Sequence, residues 1–145
     1  MKNTPLIKVE DALEIILKST EDFGTEQVDL PASLGRVLKE PLRADRDLPP
    51  FNRVSMDGIA IRYEAFASGV RKFRVEGIQA AGSPQLTLDS NDGCLEVMTG
   101  GVLPNNADVV IPYEQVSIDN GIAEVEVEAV ESMQNVHLKG LDRKE

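Results

Sequence analysis

The sequence predicts a mainly β protein, α+β overall, with one amphipathic helix near its N-terminus. A sustained helical spacing of apolar residues occurs between Val9 and Lys18. From Phe73 onward, short apolar runs are separated by frequent turn residues, which is typical of a small all-β domain. Asn120-Gly121 is the strongest hairpin signal in the chain, because a type I′ turn needs positive φ at both central residues.

The first predicted element is an amphipathic helix of about three turns. Its apolar residues lie on one face, with charged residues on the other: they are Val9, Ala12, Leu13, Ile16 and Leu17. Glu10 and Asp11 fall in the first turn, where the positive end of the helix dipole favours them. No good N-capping residue precedes the helix, and Gly24 marks the exit from it.

Two short extended pieces are predicted next. Val28 and Leu30 alternate with polar neighbours and suggest a strand, which Pro31 prevents from continuing inside a sheet. Gly35 predicts a turn or a close backbone contact, and Val37-Leu38 begins another extended piece.

The segment 47–62 is the hardest part of the chain to explain as ordinary packing. Pro49-Pro50 fixes φ and removes two backbone donors, so the chain enters as an extended arm. Asp57-Gly58 predicts a tight turn with positive φ at the glycine, followed by a short buried strand over Ile59–Ile61. Asp57 is then either a turn-former that caps its own loop or a functional carboxylate on a rigid support.

The remaining chain alternates short elements with turns. The predicted elements are a helical turn over Tyr63–Ser68, strands over Phe73–Ile78, Leu86–Leu88, Cys94–Met98, Ala107–Tyr113 and Val125–Ala129, and a turn at Ser90–Gly93. Thr99-Gly100-Gly101 directly follows a strand, where backbone N–H groups can face an anion. Taken alone, such a run is most often only a turn.

Composition limits the partners and the cell compartment that are expected for this chain. The formal net charge of −10 opposes nucleic acid and anionic membranes as partners. Basic residues cluster near the centre, so either a small anionic ligand binds there or the charges only solvate opposite faces.

No run approaches the roughly 20 apolar residues of a membrane span. Met1–Pro5 is not followed by an apolar leader region, and Cys94 is the only cysteine, so the cytoplasm is the expected compartment.

Two segments resemble signatures of the molybdopterin molybdenumtransferase family, which includes the E domain of gephyrin. The first signature is L-x-P-F-x-x-x-x-M-D-G followed by an aromatic residue and Ala, and the second is M-T-G-x-x-x-P-x-x-A-[DN]-x-V. The first is matched by Leu48, Pro50, Phe51, Met56, Asp57, Gly58 and Ala60, with Ile59 at the aromatic position. The second is matched by Met98, Thr99, Gly100, Pro104, Ala107, Asp108 and Val110.

The resemblance weakens toward the end of the chain. The family segment N-[IV]-R-x-x-G-E-D corresponds here to residues 135–142. Asn135, Gly140 and Asp142 are retained, while His137 stands for the Arg and Leu141 for the Glu. An anion site or subunit contact that uses that Arg and Glu is therefore in question here.

The resemblance implies insertion of molybdate into adenylylated molybdopterin, with release of AMP and with Mg²⁺ or another divalent cation involved. It also implies a homodimer. Asp57 would bind the cation or orient the attacking oxygen, and Thr99 with the N–H groups of Gly100 and Gly101 would hold an oxyanion. Ser55 and Arg53 would contact the negative ligand.

The resemblance also implies a domain arrangement. Residues 1–42 would form an N-terminal helix and stalk segment, 43–130 an inserted compact β domain, and 131–145 a returning segment of an elongated β-stalk. The chain would stop before an α/β domain and be inactive alone. The alternative is a dimerisation or partner-docking module that carries no catalytic residues.

Overall fold

The computed structural model describes residues 6–143. Met1–Pro5, on which the expectation of no secretory leader partly rests, and Lys144-Glu145 lie outside the described residues. The chain divides into two compact units, Met1–Leu42 and Arg43–Glu145. Residues 6–143 contain eight strands and two short α-helices, so the mainly β class is confirmed. The three-part division into stalk and inserted domain stays a prediction.

The first unit contains the predicted helix, α1, over Val9–Lys18. As predicted, no side chain caps its start. The expected strand at Val28–Leu30 is wrong, because Leu30–Ser33 forms a 3-10 helix instead. Pro31 explains the difference, since its fixed φ suits a first helical turn and its missing N–H cannot join a ladder. Val37-Leu38 is not assigned to a strand either.

A six-stranded sheet that curls into a half-barrel forms most of the second unit. Its strands, in the order in which they pair, are β5 (Val109–Pro112), β2 (Gly58–Ile61), β4 (Gly93–Val97), β3 (Lys72–Gln79), β7 (Ile122–Val125) and β6 (Val116–Asp119). All neighbours are antiparallel except β3 and β4, which are parallel. A small second sheet pairs β1 (Arg53–Val54) with β8 (Val136–His137).

The sheet is apolar on both faces, which explains why β2 and β5 read as continuous apolar runs. One layer contains Ile59, Ile61, Phe66, Phe73, Cys94, Val109 and Ile111, and the other contains Val54, Ala60, Leu88, Leu95, Val97 and Val110. Successive residues of β2 alternate between these layers, as the pleat requires. All four residues of β2 are buried, so its ends are fixed by packing on two sides.

The turns follow the sequence signals closely. Asn120 and Gly121 have φ of 50° and 77° between β6 and β7, so the predicted hairpin is confirmed. The short helix α2 covers Tyr63–Ala67, and Gly69 follows it with φ of 104°.

Two predicted strands differ from the structure. Leu86–Leu88 forms only an isolated bridge, from Thr87 to Asn105. The strand predicted to reach Ala129 stops at Val125. In both places the backbone donors are taken by other groups, as when the N–H of Glu126 donates to the carbonyl of Gln115.

Gln79 is a buried polar side chain that organises the loop after β3. Its Oε1 accepts the N–H of Leu86 at 2.6 Å, and its Nε2 lies 3.1 Å from the Ser83 hydroxyl and 3.2 Å from the Pro84 carbonyl. These bonds satisfy a side chain that is 0% exposed.

We expect Gln79→Leu to lower the free energy of unfolding by about 2 kcal/mol, because it leaves partly buried backbone groups of the loop without their Gln79 partner. Gln85→Leu is the control, since Gln85 is exposed and makes one bond, to the Leu103 carbonyl. Urea unfolding of both variants measures the difference. Equal losses in the two variants would show that the Gln79 bonds do not stabilise the loop.

Candidate functional site

Gly58 begins β2, and the structure corrects its predicted role. It is not among the glycines with positive φ, and it pairs with Val97 on one side and Pro112 on the other. A Cβ placed on Gly58 would lie 2.0 Å from the carbonyl oxygen of Ile111. The glycine is therefore required for close approach of β2 and β5 and does not serve as a left-handed turn residue.

Asp57 and Thr99 meet at the end of the sheet. Because β2 and β4 are antiparallel with Gly58 opposite Val97, the residue before Gly58 lies beside the residues after Val97. Asp57 Oδ1 accepts the backbone N–H of Thr99 at 2.6 Å and the Thr99 hydroxyl at 2.8 Å. The two signature segments thus converge on one carboxylate, and both side chains are exposed.

The two Thr99 donors lower the pKa of the Asp57 carboxyl. The backbone N–H contributes most, and the hydroxyl adds to it. Both reach the same oxygen, and no donor within residues 6–143 reaches Oδ2. Asp57 is therefore an ionised carboxylate at neutral pH with one oxygen directed away from its own loop contacts.

One role expected of Asp57 is to bind a divalent cation, and the structure shows which kind of cation site it fits. Within residues 6–143, no group of three or more His, Cys, Asp or Glu side chains lies close enough to hold a metal ion. Mg²⁺ is commonly held by one or two carboxylates together with waters and substrate phosphates. Asp57 fits that mode as a single ligand, and it does not fit a site made only of protein groups.

The Gly100-Gly101 turn differs from the expected oxyanion cradle. The N–H of Gly100 donates to the Val54 carbonyl at 2.9 Å, and the N–H of Gly101 donates to the Met98 carbonyl at 2.9 Å. Thr99 directs its own N–H to Asp57. These three N–H groups are therefore already used, and in this conformation the loop binds an anion only if one of these bonds opens. Substrate binding by the two glycines stays a prediction.

Ser55 and Arg53 lie on the arm that leads to Asp57. The Ser55 hydroxyl donates to the Asn135 carbonyl at 2.6 Å, which ties the arm to the returning segment. Arg53 pairs through its backbone with His137, and no hydrogen bond or ion pair within residues 6–143 engages its guanidinium. Arg53 is thus the better placed of the two to meet an anion, and both assignments stay predictions.

Other signature residues have structural partners. Asp108 Oδ1 accepts the N–H of Tyr63 at 2.6 Å at the start of α2. Asn135 donates through Nδ2 to the Val110 carbonyl at 2.9 Å and so covers the open side of β5. His137 Nε2 lies 2.8 Å from Asp142 Oδ1.

The sequence does not single out Tyr113, which lies next to Asp57, or its partner Glu96. Tyr113 donates its hydroxyl to Glu96 Oε2 at 2.8 Å, and its backbone N–H donates to the Asp57 carbonyl at 3.2 Å. Burial, the hydrogen bond to Glu96 and the charges of Glu96 and Asp57 raise the pKa of Tyr113 to about 12. Only the strand pairing brings these residues together, and no local sequence pattern indicates that pairing.

A family model described as the MoeA N-terminal region (domain I and II) matches residues 7–145. Molybdopterin molybdenumtransferase from Synechocystis sp. is 46% identical over 138 residues, which cover 94% of this chain and 35% of that protein. The protein of the same name from Staphylococcus epidermidis strain RP62A is 33% identical over 144 residues, covering 96% of this chain and 34% of that protein. The crystal structure of the molybdopterin biosynthesis MoeA protein from Pyrococcus horikoshii OT3 is similar with a TM-score of 0.74 and 31% identity, covering 97% of this chain and 38% of that one.

These relatives are longer than the chain, which spans about a third of their length. The similarity includes both signature segments and the whole six-stranded sheet, because the family match runs from residue 7 to residue 145.

Proposed function

This chain belongs to the MoeA N-terminal region family, and we propose that it forms one wall of the active site of an enzyme that inserts molybdate into adenylylated molybdopterin, releasing AMP. The chain is homologous to the N-terminal third of molybdopterin molybdenumtransferases of molybdenum cofactor biosynthesis. The remainder of the proposed site would lie in a following α/β domain, so the chain alone would not complete the reaction.

The observation that carries this proposal is the Asp57–Thr99 contact. Asp57 and Thr99 come one from each signature and are 42 positions apart. Thr99 donates two hydrogen bonds to one oxygen of the exposed Asp57 carboxylate. Both side chains are exposed, so a ligand can reach the carboxylate that this contact fixes in place.

Asp57 would act on the phosphoanhydride of the substrate through its second oxygen. It either holds a divalent cation that neutralises the phosphate charge or orients the attacking oxygen. Asp57 is ionised at neutral pH; the two Thr99 donors lower its pKa further and fix the direction of the carboxylate. A Mg²⁺ ion bound there would supply charge neutralisation at the phosphates, and its other ligands would come from substrate and water.

The reaction would take place in the cytoplasm. Within residues 6–143, no helix has the length and the apolar character needed to cross a membrane.

A chimera tests the proposal. Residues 7–145 of this chain replace the matching N-terminal third of the Synechocystis enzyme, hereafter called the chimera. We expect the purified chimera to insert molybdenum and release AMP, because the replaced region is 46% identical. A folded chimera that neither inserts molybdenum nor releases AMP would contradict the proposal.

The exposed apolar face of α1 favours a second role, as a dimerisation module. Val9, Leu13, Ile16 and Leu17 are all more than half exposed, at 81%, 55%, 61% and 62%. Four neighbouring apolar side chains on one face predict contact with another apolar surface. We propose that a second copy of the chain covers this face.

Sedimentation velocity measures that assembly directly. The chain is expected to sediment above its monomer mass of 15.8 kDa, and Ile16→Glu is expected to return it to the monomer. Lys18→Glu introduces the same side chain at the end of the helix and is expected to leave assembly unchanged. A monomeric wild-type chain at high concentration would rule out a dimer formed through this face.

A further inference from the structure

Hydrogen bonds from both the main chain and the side chain of Tyr113 hold this residue in place next to Asp57. Its N–H donates to the Asp57 carbonyl at 3.2 Å, while its hydroxyl donates to Glu96 Oε2 at 2.8 Å. The strand register explains this position, because Ile59 lies opposite Glu96 in β4 and opposite Ile111 in β5. The residues that follow Ile111 therefore reach the same end of the sheet as Asp57.

The ring of Tyr113 is fixed and still accessible. The side chain is 37% exposed although its hydroxyl is bound. Within residues 6–143, the Glu96 carboxylate forms no ion pair. Its one side-chain hydrogen bond there comes from the Tyr113 hydroxyl. A phenol is protonated at neutral pH, so the hydroxyl can donate to Glu96, and burial together with that hydrogen bond raises the pKa of Tyr113 to about 12. What the residue offers a ligand is therefore its ring and not its hydroxyl.

An apolar side chain continues this surface. Met98 directly follows β4 two residues after Glu96, so alternation along the strand places it toward the same face. It is 45% exposed. An exposed aromatic ring and an exposed thioether side chain at the same end of the sheet as an ionised carboxylate match a ligand that is flat and apolar at one end and anionic, or bound to a cation, at the other.

We propose that Tyr113, positioned by Glu96, contacts a planar heteroaromatic ring of the substrate while Asp57 faces its phosphate groups. The inference rests on the proposed function for the identity of the substrate. Adenylylated molybdopterin carries two such rings, the pterin and the adenine, and either would stack on a tyrosine by the same chemistry. Glu96 acts through Tyr113 and is a positioning residue.

Steady-state kinetics of the chimera test this contact. Tyr113→Ala is expected to raise KM for adenylylated molybdopterin about 10-fold with kcat little changed, within the range that stacking contributes. Ile118→Ala is the control, because Ile118 is 38% exposed on the edge strand β6. An unchanged KM in Tyr113→Ala, a loss confined to kcat, or an equal rise in Ile118→Ala would overturn the proposal.

Substitutions at Glu96 test the positioning role. Glu96→Leu and Tyr113→Phe both remove the hydrogen bond but keep the ring, so each is expected to raise KM roughly 3-fold. Glu96→Gln retains an acceptor oxygen and is expected to restore the wild-type KM. A Gln variant that behaves like the Leu variant would overturn the positioning role of Glu96.

A binding measurement separates this inference from the proposed function. The chain contains two tyrosines, so ring-labelled tyrosine gives NMR signals for Tyr113 and for Tyr63 as an internal reference. We expect AMP or pterin-6-carboxylate at millimolar concentration to shift the Tyr113 ring signals and leave those of Tyr63 in place. The probe that causes the shift identifies the ring. If the chimera does not insert molybdenum, a selective Tyr113 shift still supports the contact, and no shift with either probe overturns it.

Discussion

Replacing Asp57 by Asn is expected to lower the rate of molybdenum insertion by the chimera at least about 100-fold, the lower range of a lost acid–base or charge-stabilising group. Asn keeps the size of the side chain and an oxygen that accepts the two Thr99 donors, so the loops should remain joined. It removes the negative charge that the proposed reaction uses. The loss should appear in both kcat and kcat/KM, since the charge acts on the reacting phosphate.

Asp89→Asn provides the matched control. Asp89 is also an exposed aspartate, and its carboxylate makes no hydrogen bond within residues 6–143. This variant changes the net charge equally and is expected to insert molybdenum at the wild-type rate. An Asp57→Asn chimera that retained at least half of the wild-type rate would remove Asp57 from the proposed mechanism.

The second large effect is expected from Gly58→Ala, which should lower the free energy of unfolding by roughly 3 kcal/mol or abolish folding. The added Cβ would lie 2.0 Å from the Ile111 carbonyl oxygen and 2.8 Å from Pro112 Cα, and both are backbone atoms. Neither atom can move without separating β2 from β5. The strand end that carries Asp57 would shift with it.

Gly77→Ala is the corresponding control in β3. A Cβ at Gly77 would meet only Leu95 Cδ2, at 3.4 Å, and that atom belongs to a flexible side chain. We expect its free energy of unfolding to change by less than about 1 kcal/mol. Chemical denaturation of both variants makes the comparison, and similar unfolding midpoints would show that close approach at Gly58 is not required.

The elements that follow from local chemistry were predictable from sequence. The helix at Val9–Lys18 follows from its apolar spacing, and the hairpin at Asn120-Gly121 follows from positive φ. The buried strand Gly58–Ile61 follows from its apolar run. In each case, residues adjacent in the chain determine the outcome.

The features that depend on distant partners were not predictable in this way. Local sequence predicts Gly58 to be a turn residue, and only the position of Ile111, 53 residues later, shows that the glycine serves close packing. The resemblance gives the N–H of Gly100 the role of holding an oxyanion, and local sequence does not indicate that this N–H donates to the distant Val54 carbonyl. The Tyr113–Glu96 bond requires the pairing of β2 with both β4 and β5, which no short pattern encodes.

The proposed role of Asp57 depends on its two hydrogen bonds from Thr99, and an NMR titration of the Asp57 carboxyl carbon measures their effect on its pKa. In the wild-type chain we expect the pKa to fall below the ordinary value of 3.8, and Thr99→Val, which removes the hydroxyl donor, should raise it toward that value. Since the folded pKa is lowered, the stabilisation is fully present above the ordinary pKa and is lost as pH falls through the folded one. An Asp57 pKa at or above 3.8 that is the same in both proteins would show that Thr99 does not stabilise the Asp57 carboxylate.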